Sequence, residues 1–295
     1  MNYCPLCGTR AVGAFCGACG TSTSNEAPIR SVVASSAAMR HSESGGVTEP
    51  LDVVLPRGDA RRTLVWETRF VMLAFLLPVV ISAVLLFARH LSGVGDISRF
   101  PSIVQNHPVT NLVLGILAYL PVFAMVPLAL FLLSRTGQGP SVLGLGAPSF
   151  KSDVVPGLGI GAAALGIELL LLLPFVAFIN QHSSLFSSVT VSNEPKYYLI
   201  EAIVMSAVTA ITEEVLVNGY LITRLGQLGW SPRTSLVLSL VLRTSYHVYY
   251  GLGFLLTIPF GYLVTRSFQK HHKLNRPVVA HFLFDAILMT IAILK

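Results

Sequence analysis

Long uninterrupted apolar blocks constrain the fold of this chain more than any other feature. The first reads "FVMLAFLLPVVISAVLLFA" over residues 70–88 and contains no charged side chain. About 20 apolar residues are enough for a helix to cross the hydrocarbon core of a bilayer. Only 12% of the 295 residues are charged, against about 25% in soluble domains. The sequence therefore predicts a membrane protein whose backbone is helical wherever it meets lipid.

Seven such blocks define the predicted architecture. They lie roughly at residues 70–89, 109–134, 154–179, 197–223, 234–250, 252–267 and 277–294. The last three are shorter and more polar, so counts of six and eight stay open. We predict an all-α polytopic membrane helical bundle of about seven spans, formed by residues 61–295.

The distribution of basic residues predicts the orientation, because Lys and Arg concentrate in cytoplasmic loops. Most of them precede the first block or follow the second, fourth and sixth: Arg61, Arg62, Arg69, Arg135, Lys151, Arg224, Arg233, Arg266, Lys270, Lys273 and Arg276. We expect a multi-pass protein of the cell membrane with a cytoplasmic N-terminus. His271 and His272 are expected in a solvated loop on that side. The same topology accounts for the net charge of +6, so no nucleic-acid partner is expected.

All four cysteines lie in the first 20 residues, as Cys4, Cys7, Cys16 and Cys19. Each CxxC turn can present two thiolates to one ion, and four thiolates close a tetrahedral zinc site without an open position. Residues 1–20 are therefore predicted to form a structural zinc ribbon, similar to short modules found at protein termini, that can bind a cytoplasmic protein. A redox dithiol and disulfides are the alternatives. Residues 21–60, rich in Ser, Ala, Gly and Pro, are predicted to be a disordered linker.

Ionisable side chains occur inside the later apolar blocks. The fourth contains "AITEEVLVNGY", residues 210–220, with Glu213 and Glu214 adjacent. A charge at a helix centre costs roughly 2.5–3.5 kcal/mol on insertion scales, so such groups are functional candidates. Residues four apart share a helix face, and three blocks therefore predict one polar pocket. The pairs with this spacing are Glu214 with Asn218, Arg243 with His247, and His281 with Asp285.

The third block carries two further features. Gly157 and Gly161 have the spacing that allows close helix packing, which we assign to contacts within the chain, with a dimer face as the alternative. Glu168 has no polar neighbour at helical spacing and is left out of the predicted site.

The order and spacing of these polar groups resemble the CPBP family of intramembrane proteases, which includes CAAX prenyl proteases and relatives linked to bacteriocin self-immunity. The resemblance covers roughly residues 140–294. It implies glutamate-dependent hydrolysis of a peptide bond in a membrane-associated peptide or protein. By motif, Glu213 corresponds to the water-activating glutamate, Glu214 to its neighbouring acid, and His247 to the histidine that positions the water. His281 and Asp285 correspond to the pair that stabilises the oxyanion.

Two positions depart from the family pattern. The arginine expected four residues after the second glutamate is Asn218 here, and the aromatic residue expected four before the first histidine is Arg243. We hypothesise that Arg243 supplies the missing cation from another helix. Asn218 and Arg243 are therefore candidate supporting residues.

Other mechanisms and functions remain open at this point. Glu213, His247 and His281 are ligand types that bind zinc with one position left for water, although no HExxH motif is present. The departure at Asn218 favours a catalytically lapsed membrane scaffold or immunity protein as the alternative function. A transporter is disfavoured because the chain shows no inverted repeat or paired broken helices.

Overall fold

A computed structural model describes residues 58–93, 97–98, 107–182, 185–186, 189–190 and 198–294. The predicted zinc ribbon and nearly all of the predicted linker lie outside the described residues. Within the described ranges, three helical stretches are long and apolar enough to cross a membrane: Gly58–Leu91, Pro108–Arg135 and Phe150–Pro174. They correspond to the first three predicted spans, and the total of seven stays a prediction.

The N-terminal half is built from the most apolar helices. These are α1 (Gly58–Leu91), α2 (Pro108–Ala118), α3 (Leu120–Phe123), α4 (Met125–Arg135) and, after a 3-10 turn (Pro140–Leu143) and a π-helical turn (Phe150–Val154), α5 (Val155–Gln181). The second predicted span is divided because Pro121 and Pro127 lie in the first turns of α3 and α4, where the missing N–H of proline is tolerated. Large apolar side chains face outward on α1 and α5, including Phe70 and Leu170, as expected of surfaces that contact lipid.

The C-terminal half carries the polar groups. Its elements are α6 (Tyr198–Glu213), a π-helical segment (Glu214–Tyr220), α7 (Leu221–Gln227), α8 (Pro232–Ser245), two 3-10 turns (Val248–Tyr250 and Leu252–Leu256), α9 (Thr257–His271) and α10 (Asn275–Leu294). Ser231 caps α8 by accepting a hydrogen bond from the Thr234 N–H at 3.1 Å. Because α8 ends at Ser245 and a 3-10 turn follows, the fifth predicted span is an α-helix only as far as that residue. His271, expected in a loop, belongs to the last turn of α9.

Two short strands are the exception to the all-α prediction. β1 (Ile97–Ser98) and β2 (Val189–Thr190) pair in parallel, with Ile97 opposite Val189. They join the segments that follow α1 and α5. All other regular elements in the described residues are helical, as predicted.

The π-helical segment lies at the centre of the bundle. All seven of its residues are buried, and its apolar members belong to the same buried hydrophobic cluster as Val71 and Phe75 of α1 and Leu133 of α4. Because this segment begins at Glu214, its burial carries the two adjacent acids into the interior.

The glycines of α5 pack against α10. A Cβ on Gly157 would lie 3.0 Å from the carbonyl oxygen of Arg276, and one on Gly161 would lie 3.4 Å from that of Ala280. The small side chains allow the two backbones to approach closely. The interpretation of this spacing as packing within the chain is confirmed.

A buried ion pair joins α7 to α1. Arg224 is fully buried and donates to Glu67 at 2.6 Å, and Tyr220 donates to the same carboxylate at 2.9 Å. Arg224 also donates to the Leu132 carbonyl at 3.0 Å. Sequence analysis counted Arg224 among the loop cations. Its side chain instead turns inward, where Nη1 and Nη2 donate to protein acceptors.

Candidate active site

Two carboxylates at the junction of α6 and the π-helical segment share one guanidinium. Arg243, near the end of α8, donates from Nη1 to Glu213 Oε2 at 3.1 Å and from Nη2 to Glu214 Oε1 at 2.9 Å. The arginine is 1% exposed, so water screens these contacts little. The geometry brings a cation from α8 beside both acids.

Glu214 is fully buried and its carboxylate is occupied by donors. Besides Arg243, His281 contacts Oε1 through Nδ1 at 2.8 Å, and Asn218 donates a hydrogen bond to Oε2. Buried carboxylates are retained when they are paired and hydrogen-bonded in this way. Glu214 therefore holds three other residues in place and has little capacity to contact a substrate.

Asn218 is held on its other side by hydroxyl groups. Thr265 of α9 donates to Asn218 Oδ1 at 2.7 Å, and Ser239 of α8 donates to it at 3.3 Å. Asn218 is fully buried, so these donors fix which end of the amide faces Glu214. The residue that replaces the family's arginine is thus part of a closed polar network joining three elements.

Glu213 differs from Glu214 because part of its carboxylate is left open. Tyr246 donates to Oε2 at 2.6 Å, the same oxygen that contacts Arg243. No donor contacts Oε1 within the described part of the chain. Glu213 is 8% exposed and lines a cavity, whereas Glu214 is absent from the cavity wall.

His247 lies in the turn just after α8, and its Nδ1 is 2.9 Å from the carbonyl oxygen of Arg243. A carbonyl only accepts, so Nδ1 carries the hydrogen and Nε2 of the neutral ring is an acceptor. The predicted four-residue spacing is retained, although His247 itself is no longer in the helix.

His281 and Asp285 lie one turn apart on α10. Nε2 of His281 is 3.5 Å from Asp285 Oδ2, beyond a good hydrogen bond, while Nδ1 makes the shorter contact to Glu214. His281 packs edge-on against Phe260 with a ring separation of 5.1 Å. The imidazole is therefore held from three sides, with Nε2 as its less constrained nitrogen.

A cavity of about 840 Å³ connects these groups. Its wall combines apolar and aromatic side chains with a few convergent polar groups, as ligand sites usually do. Five predicted residues line it, and Glu214 and Asn218 lie behind it. Those on the wall are Glu213, Arg243, His247, His281 and Asp285.

Sequence analysis left Tyr246 and Glu168, which both line this cavity, out of the predicted site. The Tyr246 hydroxyl donates to Glu213 directly. Glu168 of α5, left out of the predicted site, lines the same wall as Asp285 and interacts with it electrostatically. The spacing of Tyr246 three residues after Arg243 was the available signal for the first. No residue close to Glu168 in the sequence could have indicated its place at the cavity, because Asp285, which lines the same wall, comes from α10.

The alternative of a zinc ion at Glu213, His247 and His281 has no preformed ligand set among the described residues. Among the described residues, no group of three or more His, Cys, Asp and Glu side chains is arranged to hold a metal ion. We therefore derive no step through a metal at Glu213. The four cysteines lie outside the described residues, and zinc there stays a prediction.

Comparison with known proteins gives a match that covers the segment that contains the two adjacent acids. The sequence model of a family described as type II CAAX prenyl endopeptidase Rce1-like matches residues 195–287, less than half of the chain. The family resemblance predicted from the sequence is confirmed for this segment, which contains all seven predicted site residues. No curated protein and no solved structure matches the chain. The matched family is one of prenyl endopeptidases by its description, and three helices within the described ranges are apolar enough to cross a bilayer.

Proposed function

We propose that the Rce1-like segment makes this protein an intramembrane endopeptidase in which Glu213 activates a water molecule. The observation that carries the proposal is the unequal environment of the two acids. Glu214 is enclosed by donors, whereas Glu213 lines the cavity with Oε1 free of protein donors in the described ranges. A general base must reach the proton that it removes, and only Glu213 meets that condition.

In the proposed reaction, water donates one hydrogen bond to Glu213 Oε1 and the other to His247 Nε2. Glu213 takes the first proton as the water oxygen attacks the peptide carbonyl carbon. The same proton then passes to the leaving nitrogen as the C–N bond breaks, which yields a carboxylic acid and an amine. The acid then loses the second water proton to the amine, which leaves a carboxylate and an ammonium group. General-base catalysis of this kind contributes about 10²- to 10⁴-fold in rate.

The oxyanion is proposed to accept a hydrogen bond from Nε2–H of a doubly protonated His281, whose Nδ1–H donates to Glu214, with Asp285 keeping the ring in orientation. The separation of 3.5 Å between Nε2 and Asp285 supports this role, because the N–H is not tightly held by the carboxylate. Such contacts often tighten only in the substrate complex. An oxyanion donor of this kind is worth about 10²- to 10³-fold. Arg243, Glu214 and Asn218 act as positioning residues.

The test is a cleavage assay in lipid vesicles with the full-length protein. Membrane-anchored peptides, both farnesylated at a C-terminal cysteine motif and unmodified single-span sequences, are incubated in ¹⁸O-labelled water and analysed by mass spectrometry. Hydrolysis by direct attack of water places one ¹⁸O atom in the new carboxyl group of the product. Absence of cleavage across the panel would oppose the protease proposal and favour the alternative below.

The alternative is a catalytically lapsed membrane scaffold or immunity protein. The observation that favours it is Asn218, whose amide stands where the family pattern has an arginine and is locked by Thr265 and Ser239. In that case the polar network would fix helix packing and the cavity would bind a partner without chemistry. Orientation with the N-terminus in the cytoplasm and binding of a cytoplasmic protein by the ribbon are proposed for both functions.

A further inference from the structure

A second cavity, of about 290 Å³, lies where α9, α10 and the start of α5 meet. It shares no lining residue with the 840 Å³ cavity. One part of its wall is apolar, formed by Pro156, Ile160 and Leu263. The other is basic, formed by Arg266, Lys270, His271 and Arg276.

The basic side chains of this cavity have no acidic partner in the described ranges. Arg266 donates to the neutral Gln269 at 3.0 Å, and Arg276 donates to the carbonyl oxygen of Ser152 at 2.6 Å. No ion pair forms with Lys270. Partial burial and the nearby Arg276, Lys270 and Lys273 lower the pKa of His271. The local charge is therefore positive and uncompensated by protein.

The apolar and basic parts are arranged in sequence along one helix. Leu263, Arg266, Lys270 and their neighbours recur every three or four residues and so share a face of α9. At 1.5 Å per residue, Leu263 and Lys270 are about 10 Å apart along the axis. Ile160 of α5 adds to the apolar end. A ligand that fills both ends must itself carry an anionic group next to a hydrocarbon chain.

We propose that this cavity binds an anionic phospholipid. Its phosphate-bearing headgroup pairs with Arg266, Lys270 and Arg276, and one acyl chain lies along Leu263 and Ile160. Basic pockets between helices at the cytoplasmic side of a membrane are suited to such headgroups. The ends of α9 and α10 that form this pocket lie on the side predicted to be cytoplasmic.

The general excess of basic residues on that side does not by itself account for the cavity. The positive-inside rule predicts Lys and Arg near span ends, but not their convergence on a wall that continues into an apolar slot. Arg135 and Arg233 are exposed, are assigned to the same side and are absent from the cavity wall. They provide a matched control with the same change in charge.

The experiment measures thermal unfolding of the full-length protein in detergent during titration with dioleoyl-phosphatidylglycerol. Dioleoyl-phosphatidylcholine and inorganic phosphate are titrated in parallel. Wild type is compared with Arg266→Gln/Lys270→Gln and with Arg135→Gln/Arg233→Gln. A Lys or Arg that pairs with an anionic headgroup is worth about fivefold in affinity, so loss of the cavity pair should weaken phosphatidylglycerol binding about 25-fold. The control pair should bind as wild type does.

Three results would overturn the proposal: equal weakening by both variant pairs, an equal shift with phosphatidylcholine, or an equal shift with inorganic phosphate. The last would indicate a free-phosphate site. A photoactivatable phosphatidylglycerol bound to the wild type gives a readout that needs no variant. Its crosslinks should fall in peptides that contain residues 263–276, and crosslinks confined to other peptides would also refute the site.

Discussion

At the scale of single residues, the polar centre depends on Arg243. One guanidinium pairs with two adjacent carboxylates, and its Nη1 and Nη2 are both used in doing so. Removing one partner of a buried charge network typically costs about 3–5 kcal/mol, because the remaining charge is left unpaired in a poorly solvated place. The position that the family gives to an arginine, Asn218, lies against the second of these acids. The two departures from the family pattern therefore meet at Glu214.

A double-mutant cycle tests whether the two departures compensate for each other. Arg243→Phe should lower both thermal stability and cleavage, since it leaves Glu213 and Glu214 without their cation. Adding Asn218→Arg restores the arrangement of the family pattern. We expect the double variant to recover part of both losses, with a coupling energy of about 1–3 kcal/mol.

Unfolding midpoints and kcat/KM for the four proteins of the cycle provide the measurement. If Arg243→Phe cleaved a substrate as fast as wild type does, compensation by Arg243 would be wrong. Additive effects of the two substitutions would contradict the coupling.

At the scale of elements, the close approach of α9 to α8 positions Arg243. A Cβ on Gly261 would lie 2.9 Å from Arg243 Cδ and 3.0 Å from Leu240 Cδ2. Gly261→Ala should therefore displace the arginine and cost about 1–3 kcal/mol through overpacking. Cleavage should fall because the shift reaches Glu213.

Gly159→Ala is the matched control for that substitution. Gly159 is also helical, but no atom lies within 4 Å of the position of its added Cβ. The alanine should leave stability unchanged or raise it by up to about 1 kcal/mol through helix propensity. Equal effects of the two substitutions on thermal unfolding and on cleavage would argue against the proposed role of the α9 contact.

The ion pair between Glu67 of α1 and Arg224 of α7 is separate from the candidate active site. Glu67→Gln removes the carboxylate that pairs with buried Arg224, so thermal stability should fall, by about 3 kcal/mol or more. KM should not change, because neither residue lines the 840 Å³ cavity. Asp59→Asn removes an exposed pair with Arg62 on the same helix and should leave the unfolding midpoint where it was. A loss of stability in both variants would contradict this assignment.

At the scale of the whole molecule, we expect the zinc ribbon and the protease site to be independent. A full-length variant with Cys4, Cys7, Cys16 and Cys19 all changed to Ser should contain no zinc by elemental analysis, whereas the wild type should contain one ion. Its cleavage rate should match that of the wild type and resist 1,10-phenanthroline. Inhibition of the cysteine-free variant by the chelator would instead support zinc at Glu213, His247 and His281.

The sequence predicted much of this arrangement because apolar blocks specify helices in a bilayer and charges within them must find partners. It did not predict the π-helical segment, since nothing in the apolar pattern of 214–220 distinguishes a wider helix from an α-helix. It also missed the pairing of Glu67 with Arg224, which are 157 residues apart. Local spacing identifies groups on one helix face, but contacts between helices depend on how the bundle packs.

The most direct test of the central claim compares Glu213→Gln with Glu201→Gln in the vesicle assay. Both residues are buried on α6, but only Glu213 lines the cavity. The account predicts that Glu213→Gln lowers kcat/KM by at least about 100-fold, as loss of a general base should, while Glu201→Gln retains wild-type cleavage. Cleavage by Glu213→Gln at the wild-type rate would contradict the account.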